Sequence, residues 1–143
     1  MSNKLSKYLW PAATLTVMLL IFWFSAQNGE KSSSQSRFLS LLLAQFVGPE
    51  HAGFYVRKTA HFTIYLVLGV CMLQSLQAWS VPKTVILQIL SALGLCVLYA
   101  CSDEFHQLFT AGRAGSLTDV LIDSAGALTG CLLSSLPAIL KKN

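Results

Sequence analysis

The sequence predicts an all-α fold: an integral membrane bundle of four transmembrane helices, with a short interfacial amphipathic helix between the first and second spans. Hydrophobic residues make up 54% of the 143-residue chain and charged residues only 11%, against about 25% charged in ordinary soluble domains. The mean hydropathy is +0.59. The apolar residues gather into four runs, at about 8–24, 59–79, 84–102 and 117–140, each close to the roughly 20 residues that a bilayer core requires. One transmembrane domain over 1–143 accounts for a chain of this length.

The net charge of +4 comes from residues near the ends of apolar runs. It forms no basic stripe, which favours membrane lipid head groups as partners and excludes a nucleic-acid footprint. Cys71, Cys96, Cys101 and Cys131 all fall in apolar runs without a CxxC pair, so they read as small hydrophobes and not as a disulfide framework or a zinc site.

In chain order, Lys4 and Lys7 precede the first run, Tyr8 to Phe24, with Pro11 expected in the first helical turn. Phe24-Ser25-Ala26 is a poor signal-cleavage match and the run is long for a signal peptide, so an uncleaved span is expected. Glu30 to Ser36 reads as a polar linker. Arg37 to Val47 then places Arg37, Ser40, Ala44 and Gln45 on one helical face and Leu39, Leu41, Leu42, Leu43 and Phe46 on the other. That pattern fits a short helix lying in the interface or packed against the bundle ends, stopped by Gly48-Pro49.

The second span starts at Arg57-Lys58 and runs to Trp79, at the height of an aromatic belt. Arg57, His61 and Tyr65 fall at i, i+4 and i+8, one stripe, with Lys58 beside it. Lys58 alone is the kind of residue that snorkels to head groups. After a turn over 80–83, the third span is uncharged until Ser102. If its helix continues, Asp103, His106 and Gln107 face one way, with Glu104 about 100° round.

The stretch from Ser102 to Gly126 holds four of the six carboxylates: Asp103, Glu104, Asp119 and Asp123. Acidic or basic residues at the centre of a spanning helix cost roughly 2.5–3.5 kcal/mol on insertion scales, which makes them functional candidates. Ala111 to Gly115 reads as a flexible connector. Ser116 and Asp119 have capping-box spacing, so Asp119 is equally a cap for the fourth helix. Asp123, a turn deeper, lacks that role and is expected to pair with Arg57 or Arg113. Asp119, Asp123, Gly126 and Gly130 share a stripe whose glycines admit a neighbouring helix.

Four spans bring the end of the first, the start of the second, the end of the third and the start of the fourth to one side. Those places hold Ser25 and Gln27; Arg57, Lys58, His61 and Tyr65; Asp103, Glu104, His106 and Gln107; and Arg113, Asp119 and Asp123. The opposite side holds only Lys4, Lys7, Lys83, Lys141 and Lys142. If the site holds Arg57, Lys58 and Arg113, the free basic residues number five against Lys31 and Arg37. The positive-inside bias then makes the lysine face and both termini cytoplasmic.

These residues also carry a family likeness. F-S-A-Q at 24–27, R-K-x-A-H-F-x-x-Y at 57–65, S-D-E-x-H-Q at 102–107, G-R at 112–113 and D-V-x-x-D-x-x-G at 119–126 resemble the VanZ family. Ala26 stands where a second serine is common, and Ala111 where proline often precedes G-R. The resemblance implies a small protein of the bacterial cytoplasmic (inner) membrane and cell envelope, linked to resistance to the glycopeptide antibiotic teicoplanin.

Three kinds of function suit the cluster. In the first, an enzyme, His61, Asp103, Glu104, His106 and Asp119 supply acid–base groups. Ser25, Gln27, Arg57, Lys58, Tyr65, Gln107, Arg113 and Asp123 hold the substrate, with the arginines clamping the phosphate of a lipid-linked cell-wall precursor. A divalent metal on Asp103, Glu104, His106, His61 or Asp119 is an expectation without a standard zinc signature behind it. In the second, the same residues bind the precursor or the antibiotic without turnover. In the third, they form a structural or transport network. The topology itself is checked by cysteine accessibility after Asn28, Ser80, Gly112 and Lys142: positions 28 and 112 are expected to label from outside the cell. Labelling at 80 or 142 would reverse the orientation.

Overall fold

A computed structural model describes residues 4–140; Lys141 and Lys142, assigned to the lysine face, lie outside them. Five helices follow in order: α1 (Ser6–Ser25), α2 (Gly29–Val47), α3 (Pro49–Trp79), α4 (Val85–Gln107) and α5 (Leu117–Leu140). Helices α1, α3, α4 and α5 are each long and apolar enough to cross a membrane, the signature of a multi-pass membrane protein. No strand occurs among the described residues.

Helix α1 begins at Ser6, so Pro11 lies inside it and not in its first turn. Proline has no N–H to give to the carbonyl four residues back. That carbonyl, Lys7 O, instead accepts the indole Nε1–H of Trp79 at 3.0 Å, and the Lys7 ammonium sits 5.2 Å over the same ring. The start of α1 is thereby fastened to the end of α3. Deeper in the bundle, Tyr99 OH of α4 donates to Met18 O of α1 at 2.6 Å.

The expected polar linker over Glu30–Ser36 is helical. Asn28 caps α2 by accepting from Lys31 N–H at 2.9 Å, and Glu30 in the first turn complements the helix dipole. The serines return their hydroxyls to their own turns: Ser33 to Gly29 O, Ser34 to Lys31 O and Ser36 to Ser32 O. Such internal bonding makes a serine-rich stretch compatible with a helix. Helix α2 packs against α3, leaving an apolar groove of about 540 Å³ lined by residues that include Leu39, Leu43, Phe46, Val56 and Thr63. No residue of α2 is fully buried.

The second span also starts earlier than Arg57-Lys58. Gly48, at φ 86° and ψ 148°, occupies a region open essentially to glycine. It turns α2 directly into α3, whose first residue is Pro49. The 31 residues of α3 span about 46 Å, longer than a hydrocarbon core of about 30 Å. Arg57 and Lys58 therefore sit two turns inside the helix.

Helix α3 is the centre of the bundle, and α5 lies along it in the same direction. Their backbones approach where side chains are missing. A Cβ on Gly126 would overlap the Phe62 carbonyl, one on Gly130 the Leu66 carbonyl, and one on Gly69 the backbone of Ala127. The glycine stripe thus meets α3. The core next to it uses Ile21, Tyr65, Leu68, Cys96, Ala100, Val120 and Ala127, in which Cys96, Ala100 and Ala127 are small residues that suit close packing in lipid.

Gly126→Leu should force α3 and α5 apart and lower thermal stability in detergent. Gly94→Leu, at a position with open space beside it, should leave the melting temperature close to wild type. Equal losses in the two variants would contradict the α3–α5 contact.

Candidate functional site

The parallel pairing of α3 and α5 sets their polar residues side by side at one end. Lys58 donates to Asp119 Oδ1 in a largely buried ion pair. One turn deeper, His61 Nδ1 lies 3.0 Å from Asp123 Oδ1. The Asp123 side chain is fully buried and that of His61 is 13% exposed. Asp123 therefore takes His61, and not Arg57 or Arg113, as its partner. Its position on α5 is level with the third residue after Lys58, whereas Arg57 lies a turn nearer the start of α3 and Arg113 lies in the connector between α4 and α5. Asp123 Oδ2 has no hydrogen-bond partner among the described residues.

Helix α4 does continue through Gln107 and brings in the second half of the site. Asp103, Glu104 and Gln107 are all buried. Gln107 Nε2 donates to Asp103 Oδ2 and to Glu104 Oε1, each at 3.2 Å. Glu104 Oε2 accepts the Ser116 N–H at 2.8 Å. In a capping box that N–H belongs to the acid three residues on. Here Glu104 takes it, and Asp119 is left to Lys58.

The stretch Ala111–Gly115 is held and does not act as a loose connector. Gly29 N–H donates to Ala111 O at 3.1 Å. Arg113 reaches the end of α1, with Nε donating to Gln27 O and Nη2 to Phe24 O, both at 2.9 Å. The last carbonyls of a helix have no partner within it and carry the negative end of its dipole, so a guanidinium satisfies both needs. Burial and the nearby charge of Arg57 lower the Arg113 pKa below its ordinary value. Arg113 is thus occupied by α1, whereas Arg57 is exposed and makes no ion pair among the described residues.

The remaining candidates surround the same end. Ser25 and Gln27 are buried, with Ser25 beside Asp103. Tyr65 is fully buried one turn below His61. His106 turns its ring towards Phe22 of α1, at 4.9 Å between centroids, and stays out of the close group formed by His61, Glu104 and Asp123. Those three each offer a ligand atom, all within 4.8 Å of one another. Sequence inspection passed over Tyr99, whose ring lies 6.5 Å from that of Tyr65. The i, i+4, i+8 series Tyr99, Asp103, Gln107 carries the signal that would have found it.

A family model described as VanZ/LLP1 matches residues 11–140. The chain belongs to the VanZ/LLP1 family. Comparisons with curated proteins and with solved structures return no match. The matched stretch takes in every residue of this VanZ-family cluster, from Ser25 to Asp123.

Chemically, this VanZ-family site is rich in carboxylates and buried. With Asp123 ionised, the His61 Nδ1–H donates to it and Nε2 remains to exchange a proton. Asp103 and Glu104 carry hydrogen bonds but no ion pair among the described residues. Removing one member of a buried pair leaves an uncompensated charge, at a cost of about 3–5 kcal/mol. Lys58→Met should therefore destabilise the protein by about that amount in a denaturation series, and Lys58→Met with Asp119→Leu should recover most of it. A double variant as weak as the single one would show that the pair is not coupled.

Proposed function

We propose that this VanZ-family protein acts on a phosphate-bearing, lipid-linked precursor of the bacterial cell envelope. The polar end of the bundle receives it at the extracytoplasmic face of the inner membrane, and through it the protein contributes to glycopeptide (teicoplanin) resistance. The observation behind this reading is a set of buried polar atoms that find no partner among the described residues. Both side-chain polar atoms of Gln27, Tyr65 OH, His106 Nδ1 and Asp123 Oδ2 are in that state at this one end, against Gln77 Nε2 alone elsewhere among the described residues. Leaving such an atom unsatisfied costs about 1–3 kcal/mol, so their concentration favours a polar ligand.

The division of tasks follows from what is free. Arg57, exposed one turn above His61, is the group left to meet a phosphate at head-group level. Arg113 holds α1 in place, and Lys58 holds α5. The inner residues His61, Asp103, Glu104 and Asp123 face the part of the precursor that is changed. With Arg57 counted among the free basic residues, the lysine face still leads by Lys4, Lys7, Lys83, Lys141 and Lys142 against Lys31, Arg37 and Arg57. That balance favours cytoplasmic termini and an outward site.

Asp103→Asn, Glu104→Gln and His61→Ala should each abolish teicoplanin protection in a bacterial host at wild-type membrane levels. Purified protein with a lipid-linked wall precursor should form product over time. Arg57→Ala should weaken precursor binding with the inner residues intact. Saturable association without product would identify a non-catalytic binder. Protection that simply tracks protein amount would assign the cluster to the scaffold.

A further inference from the structure

The geometry points to a binding site for a divalent first-row metal ion, zinc foremost, formed by His61, Glu104 and Asp123. The ligand atoms come from three helices, α3, α4 and α5, and already lie within 4.8 Å of one another. In a tetrahedral site with bonds of about 2.0–2.2 Å, ligand atoms stand roughly 3.4 Å apart, so small side-chain movements complete the set. One imidazole and two carboxylates form a mixed nitrogen and oxygen donor set, which suits zinc and, next to it, manganese.

Two independent features of the surroundings support a cation. The Asp123 side chain is fully buried, yet among the described residues Oδ2 has no partner, and neither has the equally buried Tyr65 OH one turn below His61. The charge balance agrees. Lys58 is committed to Asp119, and Arg113 bonds the carbonyls of α1 and Gln107 Oε1, so among the described residues Asp103 and Glu104 form no ion pair and Asp123 forms one only with His61. A dication would add positive charge to carboxylates that Arg113 and His106 reach only at a distance.

One of the three, Glu104, is also held from behind, as metal ligands are. Glu104 receives Ser116 N–H on Oε2 and Gln107 Nε2 on Oε1. Three protein ligands leave a coordination position open, the pattern of catalytic rather than structural zinc. The ion would turn an acidic chamber into one that accepts an anionic group, which reconciles its carboxylates with a phosphate-bearing ligand. This inference deepens the lipid reading above, but its test uses no lipid.

Untagged full-length protein in detergent, stripped with chelator and dialysed against zinc chloride, should retain about one zinc per chain by elemental analysis, the single site assigned here. Glu104→Gln and Asp123→Asn should weaken zinc binding by ~100-fold or more, since even loss of a residue behind a ligand costs 10–100-fold. His51→Ala, at an exposed histidine beside Glu50, should leave the stoichiometry unchanged. Thermal melts monitor folding. Cobalt in place of zinc should give visible absorption that Glu104→Gln alters even if Asp123→Asn fails to fold. Zinc retained by folded Glu104→Gln and His61→Ala, or lost in His51→Ala, would overturn the proposal. A metal site without precursor turnover would leave it standing and remove only the lipid reading.

Discussion

The close approach of α3 and α5 is the constraint on which the rest of this protein depends. Lipid tails are as apolar as leucine, so helices in a bilayer gain little from hiding apolar surface against each other. Association then relies on packing, and Gly126 and Gly130 let α5 rest on the carbonyls of Phe62 and Leu66. Because both helices leave the same end of the bundle, their first polar turns meet. Lys58 reaches Asp119, and His61 reaches Asp123. An antiparallel contact through the same glycines would have placed those acids at the far end from their partners.

The other two spans are brought to that pair by bonds that compensate helix ends. Arg113 answers the free carbonyls at the end of α1, and Glu104 answers the free N–H of Ser116 at the start of α5. Each arrangement meets a local requirement of the backbone and, in doing so, assembles the chamber. Buried ion pairs add little net stability, because desolvation offsets most of the attraction. A fold that needed only four associated helices would keep apolar residues here. The atoms of Gln27, Tyr65 and Asp123 that lack a partner among the described residues add further cost, the observation on which the proposed ligand rests.

The residue patterns made much of this legible in advance. Four spans were visible in hydropathy because the bilayer demands long apolar runs whatever the neighbours do. Convergence of the polar residues followed from span parity alone, which needs no contact information. The glycine stripe on α5 signalled a close neighbour, since only packing rewards a missing side chain there. What the patterns hid was equally physical. The serine-rich stretch at the start of α2 looks like a linker by composition, but its hydroxyls bond within their own turns. Gly48-Pro49 looks like a stop, but one glycine rotation makes it a start as well.

Sequence by itself therefore determined the membrane class, the four spans, the end at which the polar residues gather and the family. These depend on composition, periodicity and the direction of successive helices. The tertiary structure alone decided the partners: Asp123 with His61, Asp119 with Lys58, Arg113 with the end of α1, and Arg57 with none of them. Helical spacing places side chains on a stripe but leaves open the rotation and height of the facing helix. Here a few missing Cβ atoms between α3 and α5 set both.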